Sequence, residues 1–380
     1  MDDFEYRTGL LNNDRKTCRY LWTDAFAVFN YLELYRQTDE QEFLSKARIL
    51  IDQVHSVLGR HRLDDTRKGW ISGLDEQSGQ DHPTAGGLRI GKDSPERKQH
   101  QFYDASKEWD RDGQYFHYLI KWMLALHCLY RVTNEINYLN YALELANTAF
   151  IKFSYIDQYS KSKKMHWKMS IDLSYPLVES MGQHDPLDGL ITYLQLQHEA
   201  IKIKGDKLPI HLDSHIKDLK IMCASLNWMT SDALGIGGLL TNACALIQLL
   251  SKGNYSEFEQ ILIKILEDIK LGIVSYLRTN TLLQPAVSRL AFREIGLSIG
   301  LHALEIMKLL LNDNQNQFKH NNKIEKCLNE VSQFEFIADE IDAYWLDKAH
   351  SSTRTWNEHY NINNVMLATS LMPRTYLWCH

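Results

Sequence analysis

Apolar positions recur every three to four residues in long runs along this chain, the spacing of one face of an α-helix, and short polar turns separate the runs. The runs are rich in Leu, Ile, Ala, Lys and Glu, and only 7 prolines occur in 380 residues, so helix is predicted over most of the chain. Two kinds of run alternate. Leu234–Leu250 is apolar or small on nearly every side, as a buried helix must be. In the run that follows, Phe258, Ile261, Leu262, Ile265, Leu266 and Ile269 form a single stripe with charges opposite, the pattern of a helix that covers another. Inner helices are expected near 19–36, 113–131, 186–202, 232–251, 289–311 and 358–371. Outer helices are expected near 39–59, 136–155, 215–228, 256–278 and 322–347.

An internal repeat supports the alternation. Tyr35–Ala47 and Tyr130–Ala142 share the pattern YRxT(D/N)Exx(F/Y)LxxA, which reads as a helix end, a tight turn capped by Thr or Asp/Asn, and a new helix. Gly205-Asp206, Gly253-Asn254 and Asn312-Asp313-Asn314 fill the same slot elsewhere. The helix count predicts an all-α fold, an (α/α)6 toroid of helical hairpins formed by one domain over 1–380, with its last outer helix absent or supplied by a terminus. An open solenoid is the rival architecture. Inner-to-outer turns are mostly short while several outer-to-inner connections are long, and this asymmetry favours the toroid. The longest connection, about 61–108, is a loop insertion after the first hairpin. Within it Gly69–Leu74 and Gly86–Lys92 are expected to pair as a small β-hairpin.

Composition narrows the function little. A hydrophobic share of 44% and a charged share of 24% belong to an ordinary globular protein, and a net charge of -6 gives no footprint for nucleic acid. The N-terminus lacks a basic and then apolar segment, so no secretory signal is expected. No apolar run is read as approaching the roughly 18 residues of a membrane span. The six cysteines form no CxxC pair and are expected to be mostly free core thiols in a cytoplasmic protein, with no metal site and no cofactor.

Chemistry concentrates at the heads of inner helices. The richest stretch is Trp109-Asp110-Arg111-Asp112-Gly113-Gln114-Tyr115-Phe116-His117, where a long polar loop turns into a helix. Others are Arg19–Asp24 with Trp22, Glu179–Gly189 with His184, Asp185 and Asp188, Arg289–Glu294 with Arg293, and Arg354–Asn361 with Trp356, Glu358 and His359. Any single aspartate among these is explained by helix capping, which contributes about 1 kcal/mol. Capping does not require Trp, Arg, His and a second carboxylate at nearly every head.

With the YRxT(D/N)E repeat, the alternating helices and these WDRDG-type heads, the chain resembles the six-hairpin glycosidase superfamily of (α/α)6 toroids. Its members include glucoamylase-like and unsaturated-glucuronyl hydrolases, polysaccharide lyases and sugar 2-epimerases. The resemblance implies a site in a central cleft at the N-terminal ends of the inner helices and a carbohydrate substrate. The leading expectation is a glycoside hydrolase with a carboxylate pair, Asp112 and Asp185, and with Asp110, Glu294 and Glu358 in reserve. On that reading Asp112→Asn abolishes turnover while binding survives. Trp22, Trp109 and Trp356 would stack on sugar rings, and Asp24, Gln114, His117, Asp188, Arg293 and Arg354 would bind the substrate. Arg89 and Lys92, with Arg97, would hold an anionic group on it. The alternative enzyme is a sugar epimerase or isomerase, with His184 and His359 as acid and base. A non-catalytic binding toroid is the remaining class.

Overall fold

The computed structural model describes residues 1–11, 17–203, 210–224, 226–253 and 255–378, which divide into two compact units, Met1–Leu226 and Asn227–His380. In the first unit the helices are α1 (Asp2–Thr8), α2 (Leu21–Thr38), α3 (Gln41–Leu58), α4 (Glu76–Asp81), α5 (Ala105–Glu108), α6 (Phe116–Thr133), α7 (Ile136–Phe153), α8 (Asp185–Ala200) and α9 (Asp213–Cys223). Inner helices α2, α6 and α8 pack in sequence, and α3, α7 and α9 cover them. The two copies of the repeat fold alike. Asp39 and Asn134 take left-handed backbone (φ 59 and 58), and their amides return to the Tyr35 and Tyr130 carbonyls. The hydroxyls of Thr38 and Thr133 accept from the amides of Glu40 and Glu135, each at 3.2 Å. A left-handed helix end suits Asn and Asp among residues with side chains.

The loop after the first hairpin is ordered, with Trp70, Ile71, Thr84, Leu88 and Ile90 buried. Its two glycine-rich segments do not pair with each other as expected. The amides of His61 and Ile71 bond across 59–69, while those of Arg89 and Ile90 reach the carbonyls of Leu58 and Gly113. Each segment thus finds its backbone partners outside the supposed hairpin, although Gly86 lies against Ile71 and Ser72 so closely that a Cβ there would be 2.4 Å from the Ser72 nitrogen. Small strands also appear. β1 (Gln114–Tyr115) pairs antiparallel with β4 (Lys168–Met169), which pairs with β5 (Pro176–Val178); β2 (Ser154–Ile156) and β3 (Lys163–Met165) form a separate hairpin.

In the second unit α10 (Ala233–Leu250), α12 (Ala291–Asp313) and α16 (Tyr360–Leu371) are the inner helices. They are accompanied by α11 (Glu259–Arg278), α13 (Asn321–Ser332), α14 (Phe336–Leu346), α15 (Arg354–Glu358) and α17 (Arg374–Leu377). The single outer helix expected over 322–347 is two helices, broken at 333–335. Backbones of α10 and α12 meet at glycines: a Cβ on Gly237 would lie 2.0 Å from the Gly296 carbonyl oxygen, and one on Gly300 2.7 Å from the Gly237 Cα. Gly237→Ala is therefore expected to force these helices apart and to cost about 1–3 kcal/mol, read as a lower midpoint in chemical denaturation. An unchanged midpoint would mean that the contact is soft.

Contrary to the sequence reading, α10 is long and apolar enough to span a membrane by length and composition, but 67% of that window is buried inside the protein, as in a core helix. Cys223, Cys244 and Cys327 are buried free thiols and Cys18 is an exposed one, whereas Cys128 on α6 is disulfide-bonded. Of the other turns, Gly253 has φ 80 and α12 ends at Asp313. Gly205-Asp206, Asn254 and Cys379 lie outside the described residues.

Candidate active site

The WDRDG stretch leads directly into α6. Gly113, with φ 145, approaches the Met169 carbonyl and the Leu177 side chain so closely that a Cβ would sit 2.8 Å from each. β1 follows, and α6 starts with Tyr115 as N-cap and no side-chain cap. Asp112 is fully buried. Its carboxylate accepts from Arg89 Nη1 at 2.9 Å, Arg62 Nη1 at 3.3 Å, the Gly91 amide at 2.9 Å and the Gly113 amide at 3.1 Å. Four donors on two oxygens leave nothing to reach a substrate. The residue that looked best placed for catalysis is the anchor of the loop, and Arg89, expected to hold an anion, is spent on it and on the carbonyls of Val57 and Arg60. Gln114 is consumed likewise: its Oε1 accepts from Leu88 N, and its Nε2 donates to the carbonyls of Gly86 and Ile171. Asp110 is exposed in the preceding turn.

A different pair remains open. His117, the second residue of α6, points its Nδ1 at Oδ1 of Asp185, the first residue of α8, across 3.8 Å. That is too long for a hydrogen bond. His117 Nδ1 and Asp185 Oδ2 are both buried with no hydrogen-bond partner among the described residues. Burial holds the Asp185 carboxyl well above the usual carboxylate range; the Asp188 charge adds to this, and the Gly182 amide opposes it. Burial, helped by the charge of Lys121, pushes the His117 imidazole down to about 3. Both environments favour the uncharged form. Gly182 makes the carboxyl's seat possible, since a Cβ there would be 2.4 Å from Asp185 Oδ2.

Aromatic rings enclose the imidazole. Trp167 lies parallel to it (6.1 Å, 14°), and Trp22, Tyr115 and Tyr118 sit at 6.0, 5.2 and 4.9 Å. Trp109, half exposed, meets Trp167 edge-on at 4.9 Å. Tyr20 joins through a 2.7 Å contact between its hydroxyl and that of Tyr118, with Lys92 Nζ over its ring at 5.4 Å.

The His117 environment has a consequence for stability. Below pH 6.5 the unfolded chain protonates this ring while the folded chain does not until about 3, so stability is lost as pH falls through that window. His117→Gln should remove the effect. Relative to wild type, the variant is expected to gain about 3 kcal/mol between pH 7 and pH 4, measured by urea unfolding at both values. An equal loss in both proteins would contradict the assigned environment.

The other expected site residues fall into structural roles or apart. Asp24 is buried and accepts from the Tyr20 amide at 2.9 Å, closing the head of its own helix; burial raises its carboxyl to about 6 against the pull of Arg19. His184 is the N-cap of α8, one residue earlier than expected, with its carbonyl accepting from Leu187 and Asp188. In the second unit Glu294 is locked by Arg289 Nε at 2.8 Å and by Trp345 Nε1 at 2.9 Å. Trp356 is buried on Trp345 at 5.6 Å and so offers no open face. Arg293 pairs with Asp232, the N-cap of α10, at 2.6 Å. Arg354 pairs with Glu358 at 2.7 Å on the surface, and the exposed His359 packs edge-on to Phe292 at 5.3 Å. Arg97, in the first unit, binds Glu108 and the carbonyls of Gln101 and Leu177. Sequence reasoning missed Trp167 altogether, because it sits in a bend before a two-residue strand too short to show a period; Tyr118 lies just after the WDRDG stretch and was given no role.

No protein-family model and no curated protein matches the sequence. Among solved structures, the chain is similar to a sugar epimerase from a ruminal bacterium at 10% identity and a TM-score of 0.51, over 93% of this chain and 87% of that one. The fold is the (α/α)6 toroid. It is also similar to the cellobiose 2-epimerase of Bacillus thermoamylovorans B4167, at 12% identity and a TM-score of 0.48, over 93% and 88% of the two chains. At these identities the likeness concerns the fold alone.

Proposed function

We propose that this protein is a carbohydrate enzyme that moves a proton next to the carbonyl of a reducing sugar, as an epimerase or isomerase, with His117 and Asp185 as base and acid. The observation that carries this reading is the His117–Asp185 pair: two titratable groups 3.8 Å apart, with buried atoms that have no hydrogen-bond partner among the described residues, inside a wall of aromatic rings. Likeness in fold to a protein described as a sugar epimerase agrees with it.

In the forward step the His117 imidazole takes the proton from the carbon beside the carbonyl. Asp185 gives its proton to the carbonyl oxygen, and the electron pair of the broken C–H bond becomes the C=C bond of an enediol. The two uncharged groups thereby become an imidazolium and a carboxylate side by side, and their attraction in a poorly solvated site favours the intermediate. Returning the proton to the neighbouring carbon, while the Asp185 carboxylate takes the hydroxyl proton from the original carbon, gives the isomer. Returning it to the original carbon after the enediol has turned its other face to His117, while Asp185 takes back the proton from the former carbonyl oxygen, gives the epimer. The hydrolytic reading paired Asp185 with Asp112, and Asp112 is held by four donors of the loop and its arginines. The histidine pair expected for epimerisation, His184 and His359, is replaced in this reading by His117 with Asp185.

The test is to incubate the protein with reducing aldoses and disaccharides and to follow products by NMR, with aryl glycosides in parallel. A new epimer or ketose without glycoside cleavage is expected. Cleavage without isomerisation would overturn the reading.

A further inference from the structure

A buried cation outside the acid–base pair organises the aromatic wall. Lys168 follows Trp167 on β4 and is fully buried, an uncommon position for a lysine. Its Nζ donates to the Glu108 carbonyl at 2.7 Å, the Arg111 carbonyl at 2.8 Å and Glu108 Oε1 at 3.0 Å, which uses all three of its protons. The two carbonyls bracket Trp109 in sequence, so the ammonium staples the turn that carries this ring. The same ammonium lies 5.1 Å from the centre of the Tyr115 ring, its cross-strand partner. Glu108 is in turn held by Arg97 Nε at 3.3 Å, and Arg97 Nη2 donates to the Leu177 carbonyl at 2.9 Å, beside β4 on β5.

We propose that Lys168 is a positioning residue: through its bonds to Glu108 and Arg111 it sets Trp109, Trp167 and Tyr115 as the wall against which a sugar ring lies beside His117. It touches no reacting atom. This assignment rests on the sugar-enzyme reading for its purpose, but the clamp itself is a property of the fold that can be measured without a substrate.

The experiment uses the full chain carrying Lys168→Met, which leaves Glu108 paired with Arg97 and frees the two carbonyls. Acrylamide quenching of tryptophan fluorescence should increase, and the increase should vanish when Trp109 and Trp167 are both replaced by Phe. In the isomerisation assay KM should rise about tenfold, the worth of one aromatic contact, with kcat within about threefold because the acid–base pair is intact. Should Lys168→Met fail to fold, Glu108→Gln removes one charged contact, keeps both carbonyl bonds, and is expected to shift quenching and KM the same way by a smaller factor. Unchanged quenching in a folded variant would overturn the clamp, even if its melting temperature falls. A wild-type protein without sugar activity would sink the functional reading, while the quenching result still decides the clamp.

Discussion

Asp185→Asn is expected to lower isomerisation by about 10²–10⁴-fold, the usual contribution of a positioned acid, while the protein stays folded. The amide has the shape of the carboxyl and sits in the same seat over Gly182, but its N–H protons are not acidic enough to be transferred. Because burial favours the uncharged carboxyl, replacing it by a neutral amide adds no new charge to desolvate. The two proteins should differ in stability with a definite sign. Above about pH 3.8 the unfolded wild-type chain has released this proton and the folded chain retains it, so wild type loses stability as pH rises from there. The variant lacks this loss and should be relatively more stable at pH 8 than at pH 5. Kinetics and denaturant midpoints at both values check this. Activity within tenfold of wild type would remove Asp185 from the mechanism.

Asp112→Asn is expected to act on folding, not on chemistry. The carboxylate is the meeting point of Arg62, Arg89 and the amides of Gly91 and Gly113, all within the first unit. Arg62 keeps its pair with Asp64, but removing the Asp112 charge leaves the largely buried Arg89 guanidinium without its counter-ion, which costs about 3–5 kcal/mol in comparable ion pairs. The measurement is a urea titration together with activity corrected for the folded fraction. A large drop in stability with near-normal corrected activity is expected. Full stability with no turnover is what a catalytic Asp112 predicts, and it would restore the assignment that the sequence suggested.

The difference between these two aspartates shows what could be read from the chain. Helices were legible because their signals are local: the repeated Thr-Asp/Asn-Glu turn places Asp39 and Asn134 in the same left-handed conformation. The break at 333–335 was hidden because Val331, Phe334, Ile337 and Ala338 continue the apolar spacing across it, with no Gly or Pro to mark it. Asp112 and Asp185 look alike in sequence, each at a helix head with a second aspartate and a glycine within four residues. Their roles separate only through partners far along the chain, Arg62 and Arg89 for one and His117 for the other. His117 was in view as a sugar contact, but nothing local told that burial would keep it neutral. Trp167 immediately precedes, and Lys168 begins, a two-residue strand whose pairing with 114–115 comes from tertiary contact.

Transfer of a proton from carbon to His117, as proposed, would leave a record in isotope exchange. Wild-type protein and His117→Gln are incubated in D2O with whichever reducing sugar the wild type converts. Deuterium is expected to enter the carbon next to the carbonyl, in the product and in recovered substrate, with wild type and not with the variant. Conversion without deuterium in either, or equal incorporation by the His117→Gln protein, would contradict it.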